Sequence, residues 1–238
     1  MKALINYFHP LERLQRKRDS FDPKCDIPDV IRQVVTYPCP QITDSVKDLD
    51  FIVLDLETTG FDSVNDIILS IGWVDIYRGY ADLNSSVHLY LNNDLHVKPE
   101  TAVINHITPE MLSQGVSIDE AMNRFFESAK GKIIVAHGCV MEKNFIEHYL
   151  YKTYGLEEIP LLWVDTLCIE KKLGNAIAQQ NELDLTLSGT RERYHLPEYN
   201  GHNALADAIS TAELLLVQEK RIKHKCNVTI GQLYKMSV

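Results

Sequence analysis

The stretch FIVLDLETTG, residues 51–60, constrains this chain more than any other. The apolar run FIVL reads as a strand entering a core, yet it continues directly into Asp55 and Glu57. Side chains on a strand alternate faces, so residues two apart share a side. The two acids therefore point one way and Leu56 the other. Like charges side by side repel, and near a core they also lose their water. Something positive has to sit between them. A divalent metal is the candidate, provided the rest of the chain supplies further ligands.

From about residue 49 the pattern is that of a compact α/β domain. DIILSIGWVDIY (66–77) and SSVHLYLN (85–92) read as second and third strands, joined by connections too short for helical crossovers, so the three form an antiparallel meander. SIDEAMNRFFESAKG (117–131) follows as a helix, with Ser117 and Glu120 spaced as a capping box and Gly131 as its stop. KIIVAHG (132–138) is a short buried strand, EKNFIEHYLYKTYG (142–155) a helix ending at Gly155, and LLWVDT (161–166) another strand. LDLTLSGTRERYHL (183–196) is helical in its middle, and residues 203–223 carry the longest helix signal. Three strands, helix, strand, helix, strand, then helices is the order of a layered α/β domain with a mixed sheet.

Residues 1–48 differ in character. LERLQRKRD (11–19) is basic, and FDPKCDIPD and YPCPQITD are broken by prolines, Pro38 and Pro40 among them. This region reads as an N-terminal extension or arm, 49–220 as the main domain and 221–238 as a C-terminal tail. The basic run reads first as a solvated face and second as a contact for nucleic acid or a protein partner. A net charge of −9 argues against a broad nucleic-acid-binding face, but leaves room for a small site that grips only a strand end. The five cysteines are odd in number with no CxxC pair, as expected of reduced thiols in a cytoplasmic protein. No apolar stretch approaches the roughly 20 residues of a membrane span, so no membrane partner is expected.

Two further stretches join the first. GHNALADA (201–208) sets His202 and Asp207 five residues apart around a helix start, and IVAHGCVMEKNF (134–145) runs from a buried strand into a helix with Glu142 in its first turn. Each alone has an ordinary reading. A strand can end on solvated acids, an acid at a helix N-terminus suits the dipole, His137 can be a structural histidine, and Phe61 can be a core residue beside a turn. Gly60 permits a tight turn that brings backbone close to a ligand.

Together, DLETTG on the first strand, AHGCVMEKNF after a later strand and HNALAD opening the last long helix resemble the histidine subclass of the DEDD exonucleases, proofreading-type nucleases with a ribonuclease H-like fold. The resemblance runs from about residue 49 to about residue 220, with looser matches in DIILSIGWV, VINHITPEML (103–112) and VDTL (164–167). One departure stands out: the family's second motif places Asp where this chain has Glu142. The resemblance implies a metal-dependent 3′–5′ exonuclease that releases nucleoside 5′-monophosphates from a single-stranded 3′ end, with DNA as first choice and RNA as the rival substrate. A non-catalytic binding module on the same fold is the rival from another class. By resemblance, two ions (Mg²⁺ or Mn²⁺) serve the reaction. Asp55 bridges both, Glu57 and Asp207 bind the one that activates water, Glu142 supports the other, and His202 is the general base. Thr58 and Thr59, through backbone, and Phe61, through its side chain, would meet the 3′-terminal nucleotide.

Overall fold

The computed structural model describes residues 7–22, 26–92, 107–175, 183–199, 201–222 and 227–238. One five-stranded sheet runs through it in the order β3-β2-β1-β4-β5. Its strands are β1 (Phe51–Thr58), β2 (Ile68–Tyr77), β3 (Tyr80–Tyr90), β4 (Ile133–Ala136) and β5 (Trp163–Asp165). β1, β2 and β3 form the antiparallel meander; β4 lies parallel to β1, and β5 parallel to β4. This is the mixed, ribonuclease H-like sheet expected from the sequence. β3 begins at Tyr80 rather than Ser85, because Arg78 and Gly79, at φ 48° and 78°, make a two-residue turn that matches strand twist.

The helices are α1 (Pro10–Asp19), α2 (Asp29–Thr36), α3 (Pro109–Ser113), α4 (Ile118–Ala129) and α5 (Val140–Tyr154). They continue as α6 (Thr166–Asn175), α7 (Leu187–Arg193), α8 (Ala204–Ile222) and α9 (Ile230–Ser237). Ser117 Oγ accepts from Glu120 N (3.1 Å) at the start of α4, and Gly155, at φ 67°, ends α5. Residues 103–106 of VINHITPEML lie outside the described residues; its remainder gives Thr108, which caps α3. Among the described residues no helix is long and apolar enough to cross a membrane.

Alternation along β1 sorts the layers. Ile52, Leu54 and Leu56 enter a core with Phe125 and Phe126 of α4 and Ile146 and Leu150 of α5. Phe51 and Val53 enter another with Ala208, Ala212 and Leu215 of α8. A strand covered on both faces needs apolar residues at every position, hence the unbroken FIVL. Asp55 and Glu57 continue the α8 face, where that helix begins.

The residues expected as an extension carry buried side chains. Leu11 of α1 packs in the α8-side core, and Ile31, Val34 and Val35 of α2 pack in the other, with α2 against α4. Arg18, inside the basic run, is buried and donates through Nε to Pro160 O (2.9 Å) and through Nη1 to Tyr37 O. Pro10 opens α1, where a missing N–H costs nothing, while Pro38 and Pro40 fall in irregular backbone. In the residues read as a tail, α9 buries Ile230 and Leu233 behind a Thr229–Gln232 capping box. His9 Nε2 meets Gly231 O at 3.0 Å, joining the two ends of the chain.

Candidate metal centre

Asp55 sits opposite Gly72 on β2, and Glu57 opposite Ser70. A Cβ built on Gly72 would lie 2.5 Å from Leu205 Cα, and closer still to Leu205 N and the Ala204 carbonyl carbon. The start of α8 therefore rests on β2 backbone, which is what a glycine inside a strand allows. Ala204, Ala208 and Ala212, four apart and buried, keep the next turns equally close to the sheet. Asp207, in the first turn of α8, is carried to β1 by this contact. One carboxylate oxygen from each of Asp55, Glu57 and Asp207 lies within 4.8 Å of the others.

Asp207 is fixed from its own loop. The His202 N–H donates to Asp207 Oδ2 (2.9 Å) from left-handed backbone (φ 62°), and Asn203 Oδ1 caps α8 by accepting from Ala206 N (3.1 Å). The His202 side chain is exposed. Glu142 comes from the first turn of α5, is 2% exposed, and leaves Oε2 buried without a hydrogen-bond partner.

The electrostatics follow from crowding. Burial, then the charges of Glu142, Asp207 and Glu57, hold the Asp55 carboxyl well above the usual range. Burial first and Asp207 second push Glu57 up to about 7. Burial, with Asp165 adding to it, pushes Glu142 up to about 8. Asp207 is raised by burial, against the N–H groups of His202 and Asn203. Among the described residues no lysine or arginine forms an ion pair with any of the four. Three clustered carboxyls and a buried Glu142 with an orphaned oxygen, none of them in an ion pair with lysine or arginine among the described residues, fit a hard divalent cation taken by oxygen ligands.

Behind the motif, the turn 59–66 is braced by its own side chains. Thr58 Oγ1 donates to Gly60 O (2.6 Å), Thr59 Oγ1 to Asp66 Oδ1 (2.9 Å), and Asp62 N to Asp66 Oδ2 (3.0 Å). The Thr58 and Thr59 hydroxyls thus hold the turn, and Phe61 projects from it 86% exposed. That exposure excludes a core role for Phe61.

His137 is structural, as one reading of the sequence has it. Its Nδ1 meets Thr166 Oγ1 at 2.9 Å and its Nε2 meets Leu185 O at 2.8 Å. Burial lowers its pKa, so the neutral ring donates from Nε2 to Leu185 O and accepts the Thr166 hydroxyl at Nδ1. Asp165 was not anticipated as part of the site. Its Oδ1 accepts from Gly138 N (2.9 Å) and Leu167 N (2.8 Å), and its Oδ2 from Cys139 N (3.2 Å), so one carboxylate ties together the starts of α5 and α6. The available signal was Asp-Thr directly before an apolar helical run, a helix-start pattern.

The family model RNase_T, described as Exonuclease, matches residues 52–215. The chain is 32% identical over 173 residues to a DNA polymerase III PolC-type of Thermotoga petrophila, covering 72% of this chain and 12% of that protein. It is 29% identical over 187 residues to a 3′-5′ exonuclease DinG of Staphylococcus epidermidis, covering 79% and 20%. The chain thus spans a fifth or less of the length of these curated relatives. Among solved structures, Exonuclease X in complex with 5′ overhanging duplex DNA superposes with a TM-score of 0.58 at 19% identity, covering 79% of this chain and 99% of that one. Exonuclease I superposes at 0.61 and 14% identity, covering 79% and 42%. At these identities the structural likeness establishes the fold.

Proposed function

The chain belongs to the exonuclease family RNase_T, and from that premise we propose that it is a metal-dependent 3′–5′ exonuclease of the histidine subclass, acting on single-stranded DNA ends. The observation that carries this reading is the convergence of Asp55, Glu57 and Asp207 within 4.8 Å, with buried Glu142 near enough to help raise the Asp55 carboxyl. Asp55, Glu57 and Asp207 would hold one divalent ion, Mg²⁺ or Mn²⁺, and Asp55 with Glu142 a second. Bound there, such ions supply Lewis acidity toward a phosphodiester and a nucleophilic water at neutral pH.

The remaining work falls to the chain. A ring nitrogen of His202 takes a proton from the water that attacks the terminal phosphodiester. The bond from phosphorus to the 3′-oxygen of the penultimate nucleotide breaks, releasing a nucleoside 5′-monophosphate, and the departing oxygen takes a proton from solvent to become the strand's new 3′-hydroxyl. Phe61 stacks on the terminal nucleotide, and backbone at Thr58 and Thr59 borders its sugar. Glu142 replaces the family's aspartate with the same charge on a longer stem, so reaction class is retained. DNA is favoured because relatives are named as a DNA polymerase and a DNA-bound exonuclease. The division at residues 48 and 220 belongs to this reading, with α1, α2 and α9 packed against the catalytic layer as appendages.

The test is hydrolysis of matched DNA and RNA oligonucleotides with free or 3′-phosphorylated ends, with Mg²⁺, Mn²⁺ or EDTA. Mononucleotide release from free 3′ ends of DNA, lost in EDTA and in Asp55→Asn, is expected. Cutting of a circular single strand would show an endonuclease. Preference for RNA would replace the substrate, and tight binding without turnover would make the chain a binding module.

A further inference from the structure

Ser70 lies directly opposite Glu57 in the β1–β2 pair. Opposed residues on antiparallel strands project to the same face, with Cβ atoms about 4.5–5.5 Å apart. Packing identifies the face: Val74 and Ile76 of β2 join Phe51 and Val53 in the α8-side core, whereas Ile71 and Trp73 join Leu54 and Leu56 in the other. Ser70 therefore faces with Gly72, Asp55 and Glu57. It is 0% exposed, and its hydroxyl has no hydrogen-bond partner. Serine is a poor choice for such a position, since an orphaned buried hydroxyl is destabilising and an apolar residue would suit the strand better. Glu57, for its part, receives no hydrogen bond among the described residues. A donor without an acceptor thus faces an acceptor without a donor.

We infer that Ser70 is a positioning residue for Glu57 when the divalent cation is bound: its hydroxyl, unpartnered in this structure, then donates to one carboxylate oxygen and leaves the other for the cation. A carboxylate has lone pairs enough for both partners. The inference rests on the metal reading of Asp55, Glu57 and Asp207 proposed above. Groups that orient a metal ligand from behind commonly matter about 10–100-fold in metal affinity or activity.

The experiment is a calorimetric Mn²⁺ titration of the full chain and of Ser70→Ala and Ser86→Ala, with melting curves in EDTA. Ser86 is the control, because its hydroxyl is likewise buried without a partner but sits on β3. Ser70→Ala should weaken Mn²⁺ binding by about tenfold or more, while its metal-free melting temperature stays level or rises. Ser86→Ala should leave Mn²⁺ affinity at the parental value. An unchanged Mn²⁺ affinity in Ser70→Ala, a metal-free melt that drops, or an equal loss in Ser86→Ala would each overturn the inference. A parent chain that binds no Mn²⁺ would instead overturn the metal reading beneath it.

Discussion

Gly72→Ala tests whether the contact between α8 and β2 brings Asp207 to Asp55 and Glu57, and whether the proposed activity depends on that cluster. The added Cβ would sit 2.5 Å from Leu205 Cα and closer to two other backbone atoms. Carbon atoms prefer about 3.5–4.0 Å, so the start of α8 has to back away by about 1 Å. No side-chain rotation can relieve this, because the obstructing atoms are backbone. Asp55 is paired with Gly72 on β1, and Asp207 is in the helix turn that moves, so the three-carboxylate cluster opens. A displacement of about 1 Å at a reacting centre costs about 10²-fold in rate. Overpacking costs about 1–3 kcal/mol of stability, or about 2–4 °C in melting temperature per kcal/mol for a chain of this size. Gly155→Ala is the companion variant. Gly155 has open space around its Cα but a φ of 67°, so alanine there costs about 1–2 kcal/mol with no effect on the cluster. Turnover on a labelled single-stranded oligonucleotide, measured where both variants are folded, should fall about 100-fold for Gly72→Ala only. A Gly72→Ala enzyme within about threefold of the parent, against that expected loss, would refute the reasoning.

Three other outcomes are expected. Without metal, stability should fall as pH rises. Glu57 and Glu142 titrate at about 7 and 8 in the folded chain against an ordinary 4.5, so the folded chain keeps protons that the unfolded chain has released. Melting temperature in EDTA should therefore decline from about pH 5 to pH 8, with Glu57 alone costing up to about 3 kcal/mol of stability by pH 7 at 1.36 kcal/mol per pH unit, and Mn²⁺ should reverse the trend. Glu142→Gln should raise the metal-free melting temperature, by replacing a buried acid with a neutral amide, and nearly abolish turnover. Glu142→Asp should keep measurable activity, and parental rates in Glu142→Gln would remove Glu142 from the site. A chain beginning at residue 49 should aggregate or melt far lower, because it loses Leu11, Ile31, Val34 and Val35 from the cores, each worth about 1.5–3 kcal/mol of burial. Parental melting of that truncated chain would contradict the packing described for α1 and α2.

The sequence by itself determined what is local. Alternation is a property of consecutive residues, so FIVLDLE determined a strand with two acids on one face. Ser117 and Gly155 marked helix ends because caps involve neighbours along the chain. The order of three motifs identified which distant acids to bring together, although only resemblance joined them. Tertiary structure decided the rest. Whether Asp207 reaches Asp55 depends on the missing Cβ of Gly72, which acts across more than a hundred residues of chain and leaves no periodic trace. The importance of Asp165 was hidden for the same reason, since the N–H groups it binds belong to a loop 26 and 27 residues earlier. That α1, α2 and α9 pack into the cores was not legible either, because proline breaks and a run of charge describe the backbone between helices, not the faces that helices bury. An apolar face acquires meaning only when the surface it covers has formed, and that surface is made by residues far away in sequence.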